Sequence, residues 1–351
     1  MPCLSCAHDA QLRLALNNKV LHSMSDSSSW QPSADLSMLR ARARLLAQLR
    51  DFFAERDVLE VDTPVLSQHG VSDPHIDSIA AEFVPDGASV GDTMYLMSSP
   101  EYAMKRLLAD GSGCIYQLAK AFRNGEAGRR HNPEFTMLEW YRVGFDLEQL
   151  MAEVAQLLDL LLLPALPDLD WQFLSYEQAF VQTLGVNPTL MSTAELQTLA
   201  QQHVDLSMPE ATPRDTWLDL LMSHCVEPAL PPACFIFNYP ASQSALARVA
   251  MDDNGHQVAR RFEVYVQGLE LANGYHELTD AKEQAKRFAE DNQARLEMDK
   301  VEMTADLRLV AALENGLPDC SGVAMGLERI LMLAHGKQDI AEVLAFDFSR
   351  A

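Results

Sequence analysis

The segment RFEVYVQG, residues 261–268, alternates without a break. Phe262, Val264 and Val266 fall on one side of an extended chain, and Glu263, Tyr265 and Gln267 on the other, the pattern of a half-buried β-strand. After Gly268 a second strand begins and carries Glu270. Glu263 and Glu270 therefore straddle a turn and can project from adjacent strands to one side. Carboxylates so placed repel unless a cation lies between them, and Mg²⁺ bridging ATP phosphates suits a site with few protein oxygens. An exposed hairpin with solvated acids satisfies the spacing equally well. Asn273-Gly274 reads as a tight turn, with Glu277 following as a third acid.

A second run, FRNGEAGRRHNPEFTMLEWYR (122–142), gathers arginines, carboxylates, a histidine and aromatic rings. Arg123 follows the apolar segment IYQLAKAF, where its donor fork can point into a cleft and bind phosphate. His131 can donate to phosphate and Phe135 can stack on a purine. Taken singly, each is equally a surface charge or a core ring. Glu139 and Tyr141 share one strand face, and with Glu101 and Glu277 they make a carboxylate-rich set suited to a small cationic ligand.

Around these runs the pattern predicts a helix with Leu39, Ala43, Leu46, Leu49 and Phe53 on one face. A short strand in VLEVDTPVL follows, and then the strand MYLM. That strand leads into Ser99 as N-cap, Pro100 at the first helical position and Glu101 just inside. Residues 146–232 read as a mainly helical insertion, and 279–315 as a charged helical run. SGVAMGLERILMLAHG reads as a strand, a glycine and an amphipathic helix, with Arg329 in the first turn beside Gly326. No phosphate loop of the G-x-x-x-x-G-K-[ST] or G-x-G-x-x-G type occurs.

The chain has 351 residues and a formal net charge of -23, which argues against non-specific nucleic-acid binding. Its six cysteines follow no disulfide framework, and Cys3-x-x-Cys6 lacks a second ligand pair, so a reduced cytoplasmic protein is expected. LLDLLLLPALP (157–167) is too short and too broken to span a membrane. Residues 1–35 form a poorly patterned leader without signal-peptide character, and 36–351 the catalytic domain.

Together these blocks resemble the three motifs of class II aminoacyl-tRNA synthetases. LRDFFAERDVLEVDTPVLS is similar to motif 1, FRNGEAGRRHNPEFTMLEWY to motif 2 and GVAMGLERILML to motif 3. RHNPEFTMLEWY and ELANGYHELTDA resemble the lysyl branch, and the likeness covers about residues 24–351. The resemblance implies an α+β catalytic core: an antiparallel β-sheet flanked by helices, in a homodimer joined through motif 1. With only residues 1–35 ahead of motif 1, no anticodon-binding domain and no anticodon recognition are expected. A lysyl-type core of this form resembles the elongation factor P (R)-β-lysine ligase family. MSDSSSWQPSA from Met24 is similar to that family's usual start, which makes residues 1–23 a candidate start-site extension.

The resemblance implies ATP-dependent activation of (R)-β-lysine as an adenylate and transfer to a lysine ε-amine of elongation factor P. By motif position, Arg123 and Arg329 would be the catalytic arginines, and His131 would contact phosphate. Asn124, Gly125, Glu126 and Asn132 would meet the nucleotide, Phe135 would stack on adenine, and Leu271 and Gly326 would line the site. Glu263 and Glu270 would hold Mg²⁺. Ser99, Pro100, Glu101, Glu139, Tyr141, Asn273, Tyr275, Glu277 and Ala324 would bind the diamine. Two positions depart from pattern. Gly125 stands where a glutamate is usual, with Glu126 next to it. Ala324 stands where lysyl-tRNA synthetases have glycine, a methyl worth about 1–3 kcal/mol in substrate choice. The competing readings are α-lysine activation with transfer to tRNA or another acceptor, a non-catalytic regulatory module, and an aspartate-dependent amide synthetase. The retained arginines and acids weigh against the module, and the anionic pocket against aspartate.

Overall fold

The computed structural model describes residues 30–205, 208–209 and 212–351; the leader up to residue 29, with Cys3, Cys6 and Met24, lies outside the described residues. One nine-stranded sheet organises them, in the order β1-β5-β6-β12-β11-β10-β8-β7, with β9 paired to β10. Its strands are β1 (Leu59–Glu60), β5 (Ile115–Phe122), β6 (Glu134–Val143), β7 (Gln172–Ser175), β8 (Ala233–Pro240), β9 (Val249–Met251), β10 (Gln257–Val266), β11 (Leu269–His276) and β12 (Cys320–Gly326). All pairings are antiparallel except β1 with β5 and β7 with β8, at the two edges. A small sheet of β2 (Leu66–Ser67), β4 (Asp92–Leu96) and β3 (Ile79–Phe83) stands apart. The expected α+β class, an antiparallel sheet flanked by helices, is the observed one.

Helix α1 (Leu36–Ala54) starts on Asp35, whose carboxylate accepts the Met38 amide at 2.8 Å. Its buried face is Met38, Ala41, Leu45, Leu49, Phe52 and Phe53. The expected stripe is therefore turned: Leu49 and Phe53 hold their places, but Ala43 is exposed and Leu39 and Leu46 are half-buried. The helix carries apolar residues in two neighbouring registers. Packing selects the one that buries Met38, Ala41, Leu45 and Phe52 in the main core, where Phe53 stacks on Tyr116 at 4.3 Å and meets Trp140 edge-on at 5.4 Å.

Helix α2 (Glu101–Ala109) begins one residue later than expected, with Pro100 at the cap and the Ser99 hydroxyl accepting the Glu101 amide. Helix α3 (Leu147–Leu162), closed by an Asp146/Gln149 capping box, lays its leucines on the sheet, which is where most of LLDLLLLPALP goes. Beyond it, α4 (Tyr176–Leu184), α5 (Thr193–His203) and α6 (Arg214–Leu221) gather a separate core around Phe180 and Trp217, while β7 joins the main sheet. The run 279–315 is two helices, α7 (Ala281–Glu297) and α8 (Leu307–Gly316), interrupted at 298–306. Helix α9 (Leu327–Ala334) follows β12.

Asn273-Gly274 is not a turn. Both residues lie inside β11, between β10 and β12. The β10–β11 turn is Gln267-Gly268, with φ of 50° and 72°. Gly274 serves packing instead: a Cβ there would stand 2.4 Å from Phe262 Cζ.

Glu328 ties three elements together. It is buried on α9, accepts the Thr136 amide of β6 at 3.0 Å and pairs with Arg42 of α1 at 2.9 Å. Glu328→Ala strands both donors, so a loss of about 3 kcal/mol in unfolding free energy is expected from the urea midpoint.

Candidate active site

Register places the site. Across β5, β6, β12, β11 and β10, one row of directly opposed residues reads Gln117, Glu139, Ala324, Asn273, Glu263. The next row on the same face reads Ile115, Tyr141, Gly322, Tyr275, Arg261. Opposed residues in a sheet share a face, and the intervening rows point the other way. Those rows hold Leu138, Met325, Ala272 and Val264, and then Trp140, Val323, Gly274 and Phe262, all in the buried main core save Gly274. One face of the sheet is thus core and the other is chemistry.

On the second face lies a cavity of about 490 Å³ with two electrostatically distinct parts. Arg123, Arg130, His131 and Arg329 line one side, together with Phe135, Leu271 and Gly326. The Arg123 guanidinium lies 5.2 Å from the Phe135 ring centre and 3.5 Å from Glu126, and its buried Nε has no partner. Arg329 donates to the Glu270 carbonyl at 2.6 Å and lies 2.7 Å from His131 Nε2. Burial, then Arg329, lowers the His131 pKa, which favours a neutral ring whose Nε2 accepts from the guanidinium.

The other part is anionic. Glu101 and Asn273 line it, and Glu139, Tyr141 and Glu277 adjoin it through hydrogen-bonded or ion-paired neighbours. Glu139 accepts from Ser99 Oγ at 2.7 Å and from Tyr141 OH at 2.6 Å. Burial, reinforced by Glu101, pushes its pKa up to about 8 despite those two donors. Burial also pushes Glu277 up to about 7, with Lys105 opposing. Lys105 is itself buried and meets Glu101 Oε1 at 2.5 Å and Glu277 Oε2 at 2.7 Å. The second contact is an ion pair that occupies Glu277 Oε2, while Asn273 Oδ1 is a buried acceptor without a donor. An acceptor left open in a carboxylate-rich wall is what a bound ammonium would satisfy.

Glu270 opens on the cavity, and burial with Glu263 beside it raises its pKa to about 7. Glu263 stands off the wall, taking hydrogen bonds from Tyr239 and Tyr265 and the Arg261 guanidinium. The two carboxylates offer only oxygen ligands, the set a hard divalent cation takes, with Glu263 held here by Arg261 and the two tyrosines.

Most of the expected site residues converge here, but some stand apart. Pro100, Asn124 and Gly125 do not line the cavity. Gly125 is needed for its φ of 82°, and the Asn124 amide is spent on the Asp77 carbonyl. Asn132 lines the cavity, yet its side-chain amide is taken by the Glu134 carbonyl and the Phe348 amide. Three contributors were not singled out from the sequence: Lys105, Arg261 and Gly322. The Glu101/Lys105 spacing of four on a helix was a usable signal, and Arg261 falls on the Glu263 face of its strand.

The profile of class II tRNA synthetases (D, K and N) matches residues 28–350. The chain belongs to this family. A Yersinia enterocolitica protein named elongation factor P–(R)-β-lysine ligase is 50% identical over 334 residues, covering 93% of this chain and all of the relative. A Vibrio cholerae protein of the same name is 51% identical over 329 residues, covering 92% and 99%. A Vibrio parahaemolyticus namesake is 51% identical over 326 residues, covering 92% and 98%. Among the described residues, no helix of this family member is long and apolar enough to cross a membrane.

The charge pattern fixes a pH response. Raised carboxylate pKa values mean the folded state keeps protons that the unfolded chain releases. These groups therefore lower stability as pH rises from 4.5 towards about 8. A bound diammonium ligand reverses this by pairing the ionised forms, so its Tm increment should be larger at pH 8 than at pH 5.5 in a thermal melt. Glu277→Gln is expected to raise the KM for a diamino acid roughly 30-fold while leaving the KM for ATP unchanged in steady-state kinetics. Equal losses in both would remove Glu277 from the ligand set.

Proposed function

We propose that this protein activates (R)-β-lysine with ATP and transfers it to a lysine ε-amine of elongation factor P. The observation that carries the reading is the carboxylate trio of half-buried Glu101 and fully buried Glu139 and Glu277 at one part of a cavity whose other part is lined by arginines. An amino acid spanning it would place its ammonium groups among the acids and its carboxylate near Arg123. The relatives' names support the choice of diamine and acceptor.

In the first step a carboxylate oxygen of the amino acid attacks the α-phosphorus of ATP and pyrophosphate leaves. In the second, the acceptor nitrogen attacks the carbonyl carbon, AMP leaves with the bridging oxygen, and the amine sheds a proton. Arg123, with an unpartnered Nε, is our choice to bind the α-phosphate and the reacting carboxylate, countering charge that develops there. Arg329, oriented by the Glu270 carbonyl, and His131 would hold the outer phosphates. Phe135 and Gly326 would bracket the adenine, with nucleotide contact at Asn132 through its backbone. Glu270 and Glu263 would hold Mg²⁺, which supplies positive charge against the phosphate oxygens. No covalent bond to the enzyme is needed, so catalysis is positioning and charge.

The free cysteines Cys114, Cys225, Cys234 and Cys320 suit a reducing, cytoplasmic setting. Exposed Leu59, Val65, Leu66 and Phe83 around β1–β3 support a homodimer through this region. Light scattering is expected to return twice the 39.0 kDa chain mass; a mass of one chain would remove the dimer.

Amino-acid-dependent ATP–pyrophosphate exchange tests the activation step. (R)-β-lysine is expected to drive exchange better than α-lysine, and aspartate not at all. With labelled amino acid, elongation factor P is expected to take up label. Label on tRNA and none on the factor would overturn the proposal.

A further inference from the structure

Lys105 is nearly fully buried, with 1% of its surface exposed, and pairs with Glu101 and Glu277, and neither the motif likeness nor the relatives' names give it a task. Buried ion clusters are poor investments in stability, since apolar side chains of similar size usually serve as well. A lysine kept at this depth, beside a cavity open to ligand, is better accounted for by what its charge does to the acids around it.

We propose that Lys105 is a positioning residue that sets substrate charge: its ammonium cancels one of three carboxylates at the anionic part of the cavity, leaving a surplus that matches two ammonium groups. The inference rests on the reading above that the ligand is a diamino acid. Burial alone would favour the neutral amine, but Glu101 and Glu277 outweigh it and hold Lys105 charged above its ordinary range. The charged and titratable groups that share this region are Glu101, Tyr102 and Lys105 from α2, Glu139 and Tyr141 from β6, Tyr275 from β11, Glu277 just past it, and Cys320 from β12. Only Lys105 among these eight is a cation. With Glu277 Oε2 held by Lys105, Asn273 Oδ1 on the cavity wall is a buried acceptor without a donor, placed to take an ammonium of the ligand. A monoamine in place of the diamine would leave one carboxylate uncompensated, and the cheapest answer is uptake of a proton.

Two measurements test this. In Lys105→Met, the KM for (R)-β-lysine in ATP–pyrophosphate exchange is expected to rise about 100-fold, with the KM for ATP unchanged. The acid limb of kcat/KM should move to higher pH, ethylammonium should restore rate saturably, and Lys105→Arg should lose far less. The second uses the wild-type enzyme and so does not depend on the variant folding. Calorimetry at pH 8.5 in buffers of different ionisation enthalpy should show about one more proton taken up with 3-aminohexanoate than with (R)-β-lysine. Equal proton uptake for the two ligands, or a Lys105→Met enzyme whose diamine KM and pH profile match wild type, overturns the role of Lys105. Parallel loss of ATP and diamine binding without amine rescue does so too. A wild-type enzyme that fails to activate (R)-β-lysine removes the functional reading and this inference together. Activity in wild type with an unaffected variant removes the inference alone.

Discussion

The site depends on the registry of β6, β12 and β11. Because side chains alternate along each strand, a slip of one residue anywhere in this trio would exchange chemistry for core. Glu139 would turn into the leucine layer, and Leu138 or Trp140 would face the cavity. The register is held from the core side, where Leu138, Trp140, Val323, Met325 and Phe262 are buried against α1, α3 and α9. Hydrophobic packing on one face thus fixes where carboxylates stand on the other, and the fold and the site are one constraint seen from two sides.

That constraint makes it possible to hold acids in a state they would not choose. Glu139 and Glu277 sit where burial favours their protonated forms, and the opposing donors only partly offset it. The energy of packing keeps them there, because the backbone that carries them is also the backbone of the main core. Arg123 and Arg329 meet the same problem differently. They remain partly exposed, with side-chain exposures of 27% and 22%, so solvent shares the cost of their charge. The cationic side therefore carries its charge at less cost than the anionic side, where Glu139 and Glu277 are almost wholly buried.

How much of this was legible in the sequence follows from the range of each interaction. Strand alternation in RFEVYVQG and the motif likeness were enough for the sheet, for the α+β class and for most residues of the cavity. Local signals misled where a tertiary neighbour decided. Asn273-Gly274 has turn chemistry, yet the glycine answers to the Phe262 ring on the next strand. The α1 stripe was ambiguous by about one position, and burial of Met38, Ala41, Leu45 and Phe52 in a core built from distant segments resolved it. Asn132 looked like a free ligand because its partners, the Glu134 carbonyl and the Phe348 amide, are backbone groups that no residue pattern reveals. Lys105 was a local i,i+4 pair in sequence, and only the fold adds Glu277 as its second partner.

The shape of the cavity comes from residues that lack side chains. On its site face β12 presents Gly322, Ala324 and Gly326, while Val323 and Met325 face the core. These three small residues are not equivalent. A Cβ on Gly326 would meet nothing within 4 Å, so the hollow there is open space beside Arg329. A Cβ on Gly322 would stand 2.3 Å from Tyr141 and 2.6 Å from Glu277 Oε1, so that glycine lets those side chains close over the strand. Ala324 lies between, opposite Glu139 on one side and Asn273 on the other, and lines the cavity. On this face the strand therefore offers open space at Gly326, one methyl at Ala324 and a glycine covered by Tyr141 and Glu277 at Gly322, so three small positions on one strand leave three different spaces beneath their neighbours.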